Sequence, residues 1–182
     1  MLKRSLSTAT ILTVLAGLAA CSSRGTIESD MGVAGAPDWV NKGTQAVDND
    51  GRYIQGVAYA PPLNDQSLQT STADSRARAE VARVVSSYVD STLSDYSSSA
   101  GDSSASSIEQ TLISSTRTAL NGVKIKARWK DSNTGNVYSF AEMDMEALDD
   151  SIRTASKLSE NFKAFYTSNT NVNFERFVQG QE

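Results

Sequence analysis

The chain has 182 residues, 17 Lys plus Arg against 21 Asp plus Glu, no histidine, a net charge of −4 and a pI near 4.9. That length fits one domain able to bury a real core, and a mildly acidic chain lacks the basic footprint that wrapping nucleic acid needs. The missing imidazoles exclude a Cys/His metal site and a Ser-His-Asp triad; carboxylate-only or Ser-Lys chemistry is left formally open, and no spacing of residues points to either.

The N-terminus carries a targeting pattern. Lys3 and Arg4 give a positive start, and Ile11, Leu12, Val14, Leu15 and Leu18 form a short apolar run. Small residues then lead to Cys21, the one cysteine of the chain. This is the layout of a secretory signal, and the run is shorter than the ~20 apolar residues a bilayer span requires. Leu18-Ala19-Ala20-Cys21 resembles the lipobox of bacterial lipoproteins. The resemblance implies that residues 1–20 are a signal peptide removed on maturation. It also implies that Cys21 carries diacylglycerol on its sulfur and that the new N-terminus is acylated. The alternative is an ordinary signal peptide with a stray cysteine. Ser22 and Ser23 replace the Asp that commonly retains lipoproteins in the inner membrane, so the resemblance favours the outer membrane. Two or more acyl chains make such an anchor stable. A lipidated Cys21 leaves no thiol for a disulfide, so packing must hold the fold together even in the disulfide-permissive periplasm. Loss of Lys3 and Arg4 from the 17 basic residues, against 21 acidic ones, brings the mature net charge to about −6.

Residues 21–36 read as a lipidated flexible tether, small and polar with Gly and Ser. The domain is expected over residues 37–182, with Pro37-Asp38-Trp39-Val40 opening the ordered part and Trp39 packing on its edge. Asn49-Asp50-Gly51 signals a turn. Arg52 to Ala60 reads as a strand, with Gly56 marking a bulge or a close backbone approach, and Pro61-Pro62 ends it.

Ala73, Ala77, Val81, Val84, Val85, Tyr88, Val89, Leu93 and Tyr96 recur at three- and four-residue spacing, one apolar stripe on a helix of roughly 25 residues. Its early alanines permit close approach to a sheet. Asp74 with Arg78, and Arg76 with Glu80, are spaced to pair on its exposed side. Ser97 to Ser107 is a low-complexity segment expected to be a flexible loop. A shorter helix follows, with Ile108, Leu112, Ile113, Ala119 and Leu120 on its apolar side and Asn121-Gly122 as its stop.

Val123, Ile125, Ala127 and Trp129 alternate with Lys124, Lys126, Arg128 and Lys130, which predicts a strand apolar on one face and basic on the other. After a turn at Asp131 to Asn136, Val137 to Met145 returns. With Trp129 opposite Val137, the core takes Ser139, Ala141 and Met143. The outer face then pairs Arg128 with Tyr138, Lys126 with Phe140 and Lys124 with Glu142. A one-residue slip would turn Tyr138 and Phe140 inward. The basic face Lys124, Lys126, Arg128 and Lys130 reads either as a solvated surface or as a binding face for an acidic neighbour or anionic lipid. A last helix is expected from about Glu146 to Tyr166, striped by Leu148, Ile152, Ala155, Leu158, Phe162 and Phe165. An extended tail follows over residues 167–182, with Val172, Phe174 and Phe177 offering a short added strand.

Four segments together resemble the LPP-twenty lipoprotein family. They are Pro37-Asp38-Trp39-Val40; Gly56-Val57-Ala58, with Ala58 where the family often has a second Gly; the Ala/Arg-rich run Ala73 to Ala82; and the hairpin Trp129-Lys130-Asp131 to Thr134-Gly135-Asn136-Val137-Tyr138. They span most of the expected domain. The Ser-rich segment and the aromatic C-terminus have no counterpart in the resemblance. It implies an α+β fold, a small antiparallel or mixed sheet with helices on one face, in the order strand, helix, helix, strand, strand, helix. It also implies an outer-membrane lipoprotein that assembles as a homo-oligomer or in an envelope complex such as a flagellar ring or disk. It implies no catalytic residue, cofactor or metal. A binding module for peptidoglycan or a cell-wall synthase is the other reading, against which stands a tether with a typical reach of only ~20–25 Å.

Overall fold

A computed structural model describes residues 32–48, 51–100 and 105–180; the signal, Cys21 and most of the tether lie outside the described residues. Four strands form one antiparallel sheet: β1 (Gln45–Asp48), β2 (Arg52–Ala60), β3 (Lys124–Lys130) and β4 (Val137–Asp144), in spatial order β1-β2-β4-β3. The described helices are α1 (Asp38–Lys42), α2 (Gln66–Ala100), α3 (Ala105–Leu120), α4 (Glu146–Thr154) and α5 (Glu160–Gln179). The fold class is α+β, as expected. Val33–Glu182 makes one compact unit.

β1 has no signal of its own. Its four residues exist because β2 offers an edge, on which Gln45 to Asp48 pair with Gln55 to Arg52. The Asn49-Asp50-Gly51 turn falls at the tip of this hairpin; of it Gly51 is described, at φ +135°.

α2 lies across the sheet along the expected stripe. Ala73, Ala77, Val81, Val85 and Tyr88 are buried. Gly56 sits beneath it so closely that an added Cβ would lie 2.4 Å from the Ala77 carbonyl oxygen and 2.9 Å from the Val81 nitrogen. The glycine therefore marks close approach, which its missing Cβ makes possible. α2 is also longer than its stripe. Asp65 caps its start, its Oδ1 accepting from the Ser67 and Leu68 amides at 2.8 and 3.0 Å. Its far end runs through Ser97, Ser98 and Ser99, where a loop was expected. Serine is a middling helix former, not a breaker, and Tyr96 anchors this turn by packing edge-on against Phe162 and Phe165. Of the expected Ser-rich loop, residues 101–104 lie outside the described residues, and 105–107 already belong to α3.

α3 buries Ile108, Leu112 and Ala119, while Ile113, expected inside, is 44% exposed. The expected last helix is broken in two. Ala155 leaves α4 with extended backbone, and Ser159 restarts the helix by accepting the Phe162 amide at 3.2 Å. The apolar stripe survives the break because Leu148, Ile152, Leu158 and Phe162 all reach the core. The tail, expected to be extended, is the second half of α5. Phe162, Tyr166, Asn173 and Phe174 are buried at helical spacing, and Val172 points away, 54% exposed.

The β3–β4 register corrects the sequence expectation halfway along. Lys124↔Glu142 and Ile125↔Ala141 pair as expected. A bulge at Lys126 then shifts the partners, giving Ala127↔Phe140, Arg128↔Ser139 and Trp129↔Tyr138. One extra residue reverses every side chain beyond it. Ser139, Ala141 and Met143 remain inside as expected, but Arg128 turns toward α2 and Trp129 turns out. The expected contacts of Arg128 with Tyr138 and Lys126 with Phe140 do not form.

Candidate functional site

The four residues of the expected basic face divide among different surroundings. Lys124 stands opposite Glu142, and the bulged Lys126 brings its Nζ to 3.4 Å from the Glu142 carboxylate. Lys130 is exposed opposite Val137. Arg128 donates from Nε and Nη2 to both oxygens of Asp74, at 2.8 and 2.7 Å, and the Ser139 hydroxyl donates to the same carboxylate at 2.7 Å. These hydrogen bonds, Arg128's first, hold the Asp74 carboxyl below the usual carboxylate range against the opposing effect of its burial. They also correct the expected surface pairs on α2. Asp74 is taken by β3, Arg76 donates to the Tyr59 carbonyl at 2.8 Å, and Glu80 pairs with Arg83. A single basic face therefore does not exist; the strand's cations are spread over a sheet edge and a helix contact.

What the bulge exposes instead is aromatic. The sheet face away from α2 carries Tyr59 of β2, Tyr138 and Phe140 of β4 and Trp129 of β3. Ring centroids are 5.4 Å apart for Tyr59–Tyr138 and 5.5 Å for Trp129–Tyr138. α1 lies on one side of this face, with Trp39 on Phe140 at 5.6 Å. Tyr59 is 49% exposed, and the other four rings are half-buried. Tyr138 and Phe140 are outward as the alternation of β4 predicts. Trp129 was assigned to the core, because nothing in the local alternation of β3 reveals a bulge. Tyr59 gave one legible signal: it lies an even number of residues from Tyr53 and Val57, on the face opposite Gly56.

A second cluster went unseen in the sequence. Arg52 at the start of β2 forms an ion pair with Asp149 of α4, and the Tyr166 hydroxyl of α5 donates to Asp149 at 2.8 Å. The Arg52 guanidinium also sits 5.7 Å from the centre of the Phe174 ring. Burial pushes the Tyr88 hydroxyl up and the Tyr166 hydroxyl well up. A cleft of about 370 Å³ opens beside these groups, lined by Arg153, Thr170 and Asn171 among others. Arg52 and Asp149 are 97 positions apart, and no local pattern joins them. The cluster clamps β2, α4 and α5 together.

A broader groove of about 660 Å³ runs between α3 and α4. Thr111, Ser114, Thr118 and Thr154 give it hydroxyls, and Arg117 and Lys157 give it positive charge. Among the described residues no cluster of three or more Cys, Asp or Glu is placed to hold a metal, and no helix is long and apolar enough to cross a membrane. A comparison with protein-family models finds no match, and a comparison with curated proteins finds none either.

Proposed function

We propose that this chain is a lipid-anchored structural or interaction protein of the bacterial outer membrane. In this reading it faces the periplasm and assembles into, or supports, an envelope complex such as a flagellar ring or disk. The observation that carries the reading is the open sheet face, which presents Trp39, Tyr59, Trp129, Tyr138 and Phe140 as a broad surface. Such a surface suits contact with something large rather than turnover of something small. The lipobox-like Leu18-Ala19-Ala20-Cys21 supports the location. The test is metabolic labelling with a fatty-acid analogue, wild type against Cys21→Ser, combined with a photo-crosslinking residue in place of Tyr59, the most exposed ring of that face. Label on the wild type alone, and a crosslinked envelope protein, are expected. An unlabelled wild type sinks the anchor, and a crosslink-free monomer in intact envelopes sinks the assembly role.

The α3–α4 groove favours a second reading, a module that binds peptidoglycan. Its hydroxyls match glycan hydroxyls, and Arg117 and Lys157 match the carboxylates of the stem peptide. Co-sedimentation with purified sacculi, abolished by Arg117→Glu with Lys157→Glu, is the outcome this reading requires.

A further inference from the structure

We infer that the aromatic sheet face is a membrane-docking surface, on which the domain lies against the same bilayer that holds its lipid. The inference rests on the lipid-anchor reading and adds an orientation to it.

Three observations carry it. The first is where the chain enters the domain. Val33 is fixed to α1, its amide donating to Asn41 Oδ1 at 2.8 Å and its carbonyl accepting from Asn41 Nδ2 at 3.3 Å. α1 is the helix that lies on the aromatic face, through Trp39 and Phe140. Residues 22–32 alone separate that point from Cys21. Chain geometry limits that separation to about 40 Å. An anchored domain is thereby held near the bilayer with this side closest to the anchor.

The second is chemical. Trp and Tyr, with an apolar ring and one polar atom, are the side chains that settle at the level of lipid headgroups. Both tryptophans of the chain are on this face, beside two tyrosines and a phenylalanine.

The third is charge. Lys124 and Lys126 rim the face along the β3 edge, both beside Glu142, whereas Lys130, beyond the bulge and opposite the buried Val137, belongs to the other face. Long ammonium side chains at a rim reach anionic headgroups while their stems cover apolar surface. Arg128 is excluded from this rim because the bulge commits it to Asp74.

The placement of both tryptophans makes the test direct. The mature lipidated protein is reconstituted into vesicles of phosphatidylethanolamine and phosphatidylglycerol, with and without dibrominated acyl chains. Flotation reports the anchor, and tryptophan emission reports the face. A Trp39→Phe variant isolates Trp129. Protein that floats, with Trp129 emission quenched by brominated lipid and shifted to the blue, is the expected result. Protein that floats with emission indifferent to bromine overturns docking and leaves the anchor standing. If that emission is also shielded from aqueous acrylamide as protein concentration rises, the face belongs to a second copy of this chain. Failure to float overturns the anchor reading and the docking with it.

Discussion

Arg128 and Asp74 are joined by two parallel hydrogen bonds, 2.8 and 2.7 Å long, across 54 positions of sequence. The pair ties edge strand β3 to the long helix α2, and it exists because the bulge at Lys126 turned Arg128 from the open face to the helix face. Removing the carboxylate leaves the fully buried Ser139 hydroxyl without its acceptor. Asp74→Ala is expected to cost about 1–3 kcal/mol, the penalty for stranding buried donors. Arg128 is half-exposed, so water screens part of the ion pair. A double-mutant cycle with Arg128→Ala in urea denaturation should still return a coupling of at least ~0.5 kcal/mol. Additive effects would show that the pair contributes nothing to stability.

The bulge is itself open to test. Deleting Lys126 leaves Ile125 opposite Ala141 and Ala127 opposite Phe140, which is a regular alternation with the same partners. The deletion is expected to fold and to keep the Asp74–Arg128 pair, so Asp74→Ala should remain costly in that background. If Asp74→Ala becomes neutral there, the deletion has instead slipped the register.

Gly56 cannot accept a side chain without moving α2, since two of the three obstructing atoms, the Ala77 carbonyl oxygen and the Val81 nitrogen, are backbone. Gly56→Ala is expected to destabilise by about 3 kcal/mol or more, at the upper end of overpacking costs. A melting temperature within a degree of wild type would show that α2 has room to lift off the sheet.

Tyr166 and Tyr88 should respond differently to loss of the hydroxyl. Tyr166 donates to Asp149, and Tyr166→Phe leaves that half-buried carboxylate one bond short, at a cost of about 1.5–3 kcal/mol. The Tyr88 hydroxyl is buried without a well-formed hydrogen bond, so Tyr88→Phe should fall within ~0.5 kcal/mol of wild type or improve on it. Chemical denaturation of the two variants side by side decides this; equal losses would contradict the arrangement.

The pH dependence has two edges. Asp74 and Asp131 titrate below the usual carboxylate range, Asp74 through Arg128's hydrogen bonds and Asp131 through the Thr134 hydroxyl. In the unfolded chain they take up protons near pH 3.9. Their stabilising effect is therefore complete above that region and is lost as pH falls through their folded values. Tyr88 and Tyr166 behave in the opposite sense. Burial raises them, so the unfolded chain releases these protons first, near pH 10. Stability is full below that pH and falls as pH rises beyond it. The chain has no histidine, the side chain whose ordinary titration falls between about pH 5 and 8. Urea midpoints are expected to be level across that interval and to fall on both sides. A step near pH 6.5 would contradict this expectation.

Much of the architecture was readable from residue order, because it depends on periodicity. The stripe from Ala73 to Tyr96 was legible as the core face of α2. Gly56 was legible as a place where something comes close. The alternation of β4 was legible, but which of its two sets faces inward hung on an assumed pairing with β3, and Ser139, Ala141 and Met143 are the buried set. The Asp131 to Asn136 turn was equally plain, since Asp131 closes it with its own side chain on Asn133 and Thr134. Each of these signals lives within about ten residues or within one helix face.

Other features are settled only when distant segments meet. β1 forms because β2 has a free edge, and the last turn of α2 continues past Tyr96 because Phe162 and Phe165 grip that ring. The aromatic tail becomes helix because α2 and β2 present Tyr88 and Arg52 to Phe174. The Lys126 bulge is the clearest instance. Residue alternation in β3 reads as one uninterrupted period of two, and only the Asp74 carboxylate on α2 and Ser139 on β4 make it better for Arg128 to turn inward. A strand's two faces are nearly equivalent in local energy, and long-range partners choose between them. The amino-acid order thus determined which elements form and which stripes they bury. Tertiary contact decided which way the β3 side chains point beyond the bulge, and with that it added Trp129 to the aromatic surface of Tyr59, Tyr138 and Phe140.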